Sequence, residues 1–70
     1  MDRDKVEARA IELLDSNHKY YTFRGEIMPG FLAWELMVEF ETVTNDEDIY
    51  SGYRKLAMMI ASSYRPKKGK

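Results

Sequence analysis

The chain cannot cross-link itself, because its 70 residues include no cysteine and only one histidine, His18. A structural zinc site needs about four Cys or His ligands, so neither a disulfide nor a metal site is expected to hold the fold together. Chains of this length bury only roughly 60% of the surface that they expose when unfolded. The fold must therefore depend on well-packed apolar faces, on a partner or on self-association.

The composition indicates a globular domain without a strong electrostatic preference. Hydrophobic residues make up 44% of the chain and include five Tyr, three Phe and one Trp. Disordered chains contain far fewer apolar and aromatic residues. The net charge of −1 creates no general attraction to nucleic acid or to an anionic membrane. No apolar run reaches the roughly 18 residues of a spanning helix, and the acidic start MDRDKVEARA does not resemble a signal peptide. We expect one cytoplasmic domain over residues 1–65, with a disordered basic tail over residues 66–70.

The predicted fold class is mainly α: a three-helix domain with a short extended segment or hairpin between helices 1 and 2. Asp2 or Asp4 can cap the first helix, which is predicted over residues 4–16, and Glu7 would complete a capping box with Asp4. Asn17 would end this helix in the left-handed conformation. Its apolar stripe consists of Val6, Ala10, Leu13 and Leu14, with Ile11 at the border.

Residues 18–28 interrupt the helical pattern. The run from Tyr20 to Phe23 favours extended backbone, and the triplet Arg24-Gly25-Glu26 can turn. The segment is therefore either a short strand, a two-stranded hairpin or an ordered loop.

The second helix is predicted from Pro29, which suits the first position of a helix, to about Thr42. The alternation of apolar and charged residues in Val38-Glu39-Phe40-Glu41 also fits a strand. At about 100° per residue, however, Glu35, Glu39 and Thr42 share one polar arc and only Glu41 lies outside it, which favours the helix.

The third helix is predicted from residue 45 or 46 to Tyr64. Thr44 and Glu47 form a second capping-box pair at its start, and Pro66 would end it. Its apolar stripe consists of Ile49, Tyr53, Leu56, Ile60 and Tyr64.

Few residues have the spacing that catalysis requires. His18 is the only histidine available as a general base, and its place beyond a helix end suggests a capping or surface role. Glu35 and Glu39 are one turn apart and Asp46 to Asp48 are adjacent, but both sets are expected in solvent. We predict no enzyme activity, cofactor, metal or small-molecule substrate.

Surplus apolar residues predict a protein-binding surface, used by an accessory subunit, regulator or inhibitor, or by a homodimer. The apolar arc of helix 2 is wider than the one face that a small bundle buries. This width fits either an exposed binding flank or a central helix that is covered on both sides, with Trp34 in the core. Helix 3 carries two Met residues outside its stripe, and the loop is rich in aromatic residues. The predicted partner-binding residues are Phe31, Trp34, Val38, Tyr20, Tyr21, Phe23, Met58 and Met59.

The alternative prediction is a small nucleic-acid-binding protein. Basic residues in the tail can neutralise phosphates without reading sequence, and a mixture of basic and aromatic residues suits single strands. The residues predicted for this role are Lys19, Arg24, Arg54, Lys55, Arg65, Lys67 and Lys68.

No motif places the chain in a family, but its layout is similar to the theta subunit of the bacterial replicase, a small three-helix protein that binds the proofreading exonuclease. The shared residues are scattered, and residues 18–28 do not match; they are Asp4-Lys5-Val6, Met28-Pro29, Tyr53-Arg54-Lys55-Leu56 and Ala61-Ser62. Small, cysteine-free, aromatic-rich chains are also common in bacteriophage genomes, where an inhibitor of a host protein would have this composition.

Overall fold

The computed structural model describes residues 1–41 and 46–65 of the chain. Three α helices lie in these ranges: α1 (Arg3–Ser16), α2 (Pro29–Phe40) and α3 (Glu47–Ser63). A one-turn 3-10 helix (His18–Tyr21) and the strands β1 (Thr22–Phe23) and β2 (Glu26–Ile27) connect α1 to α2. The predicted fold class is confirmed, and the predicted hairpin is present over residues 22–27. The extended backbone predicted for Tyr20 and Tyr21 is wrong, because both residues lie in the 3-10 helix.

The ends of α1 differ from the predicted caps. The Asp2 side chain caps the helix by accepting a hydrogen bond of 3.3 Å from the backbone N–H three residues on. Asp4 therefore lies inside the first turn, and the predicted capping box with Glu7 is wrong. Asn17 donates its backbone N–H to the Leu13 carbonyl (2.9 Å), but its φ of −146° is not left-handed, so that prediction is also wrong. The chain instead passes directly into the 3-10 turn.

A two-residue turn at Arg24 and Gly25 closes the hairpin. Their φ angles are +55° and +82°, and two positive values in succession are typical of the type I′ turn that matches the twist of paired strands. Phe23 and Glu26 face each other on either side of the turn. Gly25 takes its angle at no steric cost, whereas Arg24 has a side chain that disfavours it.

The base of the hairpin is attached to the core. The Met28 backbone N–H donates to the Tyr21 carbonyl (2.9 Å) and extends the pairing beyond the strands. The Tyr21 side chain is 2% exposed, and half-buried Ile27 packs against the core from β2. A two-stranded hairpin is marginal in isolation, so this packing stabilises it.

The start and end of α2 and the start of α3 were predicted to within two residues. Pro29 is the first residue of α2, and α2 ends at Phe40 rather than at Thr42. Asp46 caps α3 by accepting hydrogen bonds of 3.0 and 3.2 Å from the N–H groups two and three residues on. Thr42, the predicted cap Thr44 and the tail over residues 66–70 lie outside the described residues.

The core lies where the three helices meet, with α2 packed mainly on α3 and α1 contacting both. The apolar stripe predicted for α1 is confirmed, as is the central part of the α3 stripe, whereas Ile49 and Tyr64 are only partly buried. The buried residues are Val6, Ala10, Leu13, Leu14, Tyr21, Leu32, Ala33, Leu36, Met37, Tyr53, Leu56, Ala57 and Ile60.

Candidate protein-binding surface

One side of α2 faces solvent although it is apolar. Phe31, Trp34 and Val38, which we call the outer face of α2, are 37%, 45% and 46% exposed. Trp34 and Val38 are each two residues from buried Leu36, which places them about 160° around the helix from it. Neither α1 nor α3 covers this side, because both pack against the opposite one.

Tyr20 extends the outer face toward the 3-10 helix. Its ring centroid lies 5.1 Å from that of Phe31, and its side chain is 54% exposed. Tilted aromatic pairs at this distance contribute about 0.5–1.5 kcal/mol beyond burial of area, so Phe31 is held in place by its neighbour.

Tyr21 differs from the prediction that placed it in the binding surface. Its ring is buried and contacts Tyr20 edge-on (5.1 Å between centroids) and Phe31 at a tilt (5.7 Å). Burial raises the pKa of Tyr21, and the negative charge of Glu35 raises it further. Tyr21 therefore supports the surface from beneath and is not available for contact.

The other edge of the outer face lies against Tyr50 of α3, a residue that was not among the predicted binding residues. The Tyr50 and Trp34 ring centroids are 6.5 Å apart. The Tyr50 hydroxyl donates a hydrogen bond of 3.3 Å to the Gly30 carbonyl. A Cβ on Gly30 would lie only 3.1 Å from that hydroxyl, so the small residue permits the contact. The only sequence signal for this edge is the position of Tyr50 beside the α3 stripe.

Three carboxylates border the outer face, and they have different partners. Glu39 accepts a hydrogen bond of 2.7 Å from Nε of Arg9, which also pairs with Glu12 at 2.9 Å. The hydrogen bonds to these two carboxylates raise the pKa of Arg9. Glu41 accepts a hydrogen bond of 2.7 Å from the Tyr53 hydroxyl. Within the described part of the chain, the Glu35 side chain forms no ion pair or hydrogen bond.

The remaining predicted contact residues lie away from the outer face. Met58 and Met59 are 52% and 53% exposed, on opposite shoulders of α3. Met58 lines a shallow groove of about 510 Å³ beside the hairpin, and Met59 contacts the Arg3 guanidinium (3.6 Å). Phe23 is 62% exposed at the hairpin tip. They do not form one surface with Trp34.

The basic residues of the alternative prediction are spread over several elements. Lys19 and Arg24 lie between α1 and α2, and Arg54 and Lys55 lie on α3; all four are exposed. Arg65 is exposed just beyond α3, and Lys67 and Lys68 lie outside the described residues. The clearest combination of a cation with an aromatic ring is at the hairpin tip, where the Arg24 guanidinium carbon lies 5.2 Å from the Phe23 ring centroid.

The titratable groups of the described residues do not converge on a reaction centre. His18 stacks on the Tyr64 ring at 6.1 Å, and the Tyr64 hydroxyl donates to Asp15 at 2.6 Å. Burial, assisted by Asp15, raises the pKa of Tyr64 to about 12, away from the neutral range in which acid–base catalysts operate. Over residues 1–41 and 46–65, no group of three potential metal ligands is close enough to hold an ion.

Comparison with known proteins finds no matching family model, no matching curated protein and no matching solved structure. The similarity to the theta subunit therefore still consists of scattered residues, and no role is transferred from it. None of the helices in the described ranges has the length and apolar character needed to cross a bilayer.

Proposed function

We propose that this protein is a non-enzymatic binding module, an accessory subunit or inhibitor, that docks a protein partner on the outer face of α2 and on Tyr20. The observation that carries the proposal is the side of α2 opposite the core, where solvent meets Phe31, Trp34 and Val38. Scattered apolar side chains are normal on protein surfaces, but adjacent large ones are typical of interaction sites.

The area of this surface is that of a functional surface patch. From side-chain areas of about 150–250 Å² and the exposed fractions above, the outer face and Tyr20 together present roughly 350 Å². That value falls in the range of the largest patches of monomeric proteins, which are often functional. The aromatic residues are also held by Tyr21 and Tyr50 beneath and beside them, so little conformational freedom is lost on binding.

Affinity capture from the native cell extract, read by mass spectrometry, tests this proposal with three baits. The baits are the wild-type protein, Trp34→Ala and the control Ile11→Ala, which removes an apolar side chain of similar exposure (38%) from α1. We expect a partner that wild type and Ile11→Ala retain and Trp34→Ala loses, because central aromatic anchors contribute 2 kcal/mol or more to binding. A partner retained equally by folded Trp34→Ala would contradict the proposal.

A second candidate function, binding of single-stranded nucleic acid, is favoured by the stacked pair of Arg24 and Phe23 at the hairpin tip. An exposed ring can stack on a base while the guanidinium contacts phosphate. With a net charge of −1, few phosphates would be neutralised, so we expect weak binding of labelled oligo-dT that falls steeply from low to physiological salt. Phe23→Ala should abolish it. Sequence-selective, salt-resistant binding would instead rank this candidate first.

A further inference from the structure

The charges around the outer face of α2 indicate what kind of partner fits it. The helix and its C-cap carry three carboxylates, Glu35, Glu39 and Glu41, and no Lys or Arg. Of these, Glu39 is neutralised by Arg9. Two carboxylates, Glu35 and Glu41, thus border the apolar stripe without a cationic partner among the described residues.

The position of Glu41 is unfavourable for the isolated helix. The C-terminal end of a helix carries partial negative charge, so a carboxylate there is repelled and a cation is attracted. α2 has no basic residue in its last turn. The buried Tyr53 hydroxyl nevertheless holds Oε2 of Glu41 at 2.7 Å, and a carboxylate with one accepted hydrogen bond retains lone pairs for a cation. A cation from outside the chain would relieve the repulsion.

The spacing of the outer face matches the seam of a paired helix. With Phe31 and Val38 at heptad positions a, Trp34 falls at d and Glu35 at e, and the C-cap residue Glu41 follows the last turn of the helix. The apolar area of roughly 350 Å² is about half of the 800 Å² per partner of a standard interface, which suits one docked helix better than a broad domain surface.

A second copy of the chain fits this seam poorly. In a parallel pair of α2 helices, the two C-caps would lie at the same end and bring Glu41 near its own counterpart. In an antiparallel pair, the e positions would bring Glu35 against its counterpart. Like charges placed directly opposite each other oppose association, so both arrangements are disfavoured.

We infer that the occupant of the outer face is an amphipathic helix of another protein, with an apolar stripe flanked by Lys or Arg. This inference depends on the proposed function and adds the chemistry of the partner to it. The apolar stripe would pack on Phe31, Trp34 and Val38, and the flanking cations would pair with Glu35 and Glu41. Position e charges select partners in this way in coiled coils.

Two synthetic helical peptides of about 18 residues, or five turns, provide the probes. Both have Leu at a and d; one has Lys at e and g and its twin has Glu there. Binding is followed by calorimetry and by the emission of Trp34, which is the only tryptophan. We expect the Lys peptide to bind at least about tenfold more tightly than the twin at low salt, and the difference to shrink as salt screens the charges.

Substitutions of the two carboxylates test whether they cause the preference for the Lys peptide over the Glu peptide. Glu35→Gln/Glu41→Gln should reduce the preference to within about twofold, since Gln keeps the shape and can still accept from Tyr53. Glu35→Gln alone, which leaves the contact between Glu41 and Tyr53 intact, should lose about half of the preference on a logarithmic scale. The control Glu7→Gln makes the same change of charge on exposed α1 and should behave as wild type. Circular dichroism confirms that each variant is folded.

The outcomes separate this inference from the proposal that it depends on. Equal binding of both peptides, lost in Trp34→Ala, would overturn the basic partner while supporting the outer face as a docking surface. Failure of both peptides to bind, or a dimeric mass by light scattering that Trp34→Ala makes monomeric, would overturn the basic helix in favour of other occupants. If in addition no captured partner depends on Trp34, the proposed function fails as well.

Discussion

The hydroxyl of Tyr53, a residue that is 1% exposed, donates a hydrogen bond of 2.7 Å to Oε2 of Glu41 at the C-cap of α2. This contact joins the C-cap of α2 to α3. Burial and the hydrogen bond to Glu41 both raise the pKa of Tyr53, so the hydroxyl keeps its proton and remains a donor.

Tyr53→Phe should reduce the free energy of unfolding by about 1–2 kcal/mol, because a hydrogen bond to a charged acceptor is lost while Glu41 retains access to water. Denaturant unfolding followed by circular dichroism measures the change. Tyr20→Phe is the control, since its side chain is 54% exposed and should leave stability within about 0.5 kcal/mol. Equal effects of the two variants would show that the hydrogen bond contributes nothing.

Tyr20 and Tyr21 are identical neighbours that should respond oppositely to substitution by Ala. Tyr21 is 2% exposed, and removing a buried aromatic ring costs about 3–5 kcal/mol, which a domain of this size would not withstand. Tyr20→Ala should remain folded and weaken partner binding. Thermal melts of both variants test this pair, and a stable Tyr21→Ala protein would show that its ring is not part of the core.

The hairpin turn offers a test of backbone strain. Arg24 has a φ of +55°, which is unfavourable for a residue with a side chain, so Arg24→Gly should raise the free energy of unfolding by about 0.5–1 kcal/mol. Gly25→Ala should lower it by about 1 kcal/mol, although there is space for the added Cβ, because the φ of +82° is itself unfavourable for Ala. Melting temperatures that move in the same direction would contradict the assigned turn.

Stability should decline at alkaline pH through the tyrosines whose pKa is raised in the folded state. Burial first, and then the hydrogen bond and charge of Asp15, raise the pKa of Tyr64 to about 12. A raised pKa means that the folded state favours the protonated phenol. Its contribution is therefore complete below about pH 10, the unfolded value, and is lost as the pH rises from 10 toward 12.

Unfolding free energies measured across that pH range, for wild type and Tyr64→Phe, test this expectation. The variant should lose less stability between pH 10 and 12, although part of the decline should persist because Tyr53 shifts in the same direction. A decline as steep as that of wild type would show that Tyr64 does not contribute.

Local patterns determined most of the secondary structure. The α1 stripe was readable because its apolar residues recur every three to four positions between polar ones, and the α3 stripe for the same reason. Pro29 marked the start of α2 because a fixed φ and a missing N–H are tolerated there. The sequence does not single out the capping residue of α1, because the neighbouring residues Asp2 and Asp4 can both take that role.

Only the tertiary structure decided which parts of the apolar surface are covered. α2 is apolar around most of its circumference, so its sequence contrast is too weak to show which side α1 and α3 bury. Tyr20 and Tyr21 have the same chemistry, and it is the direction of the 3-10 turn that places one ring in solvent and the other in the core. The exposure of Trp34 follows from the same cause: two helices can cover only one side of a third, and the side that they leave uncovered depends on how all three pack together.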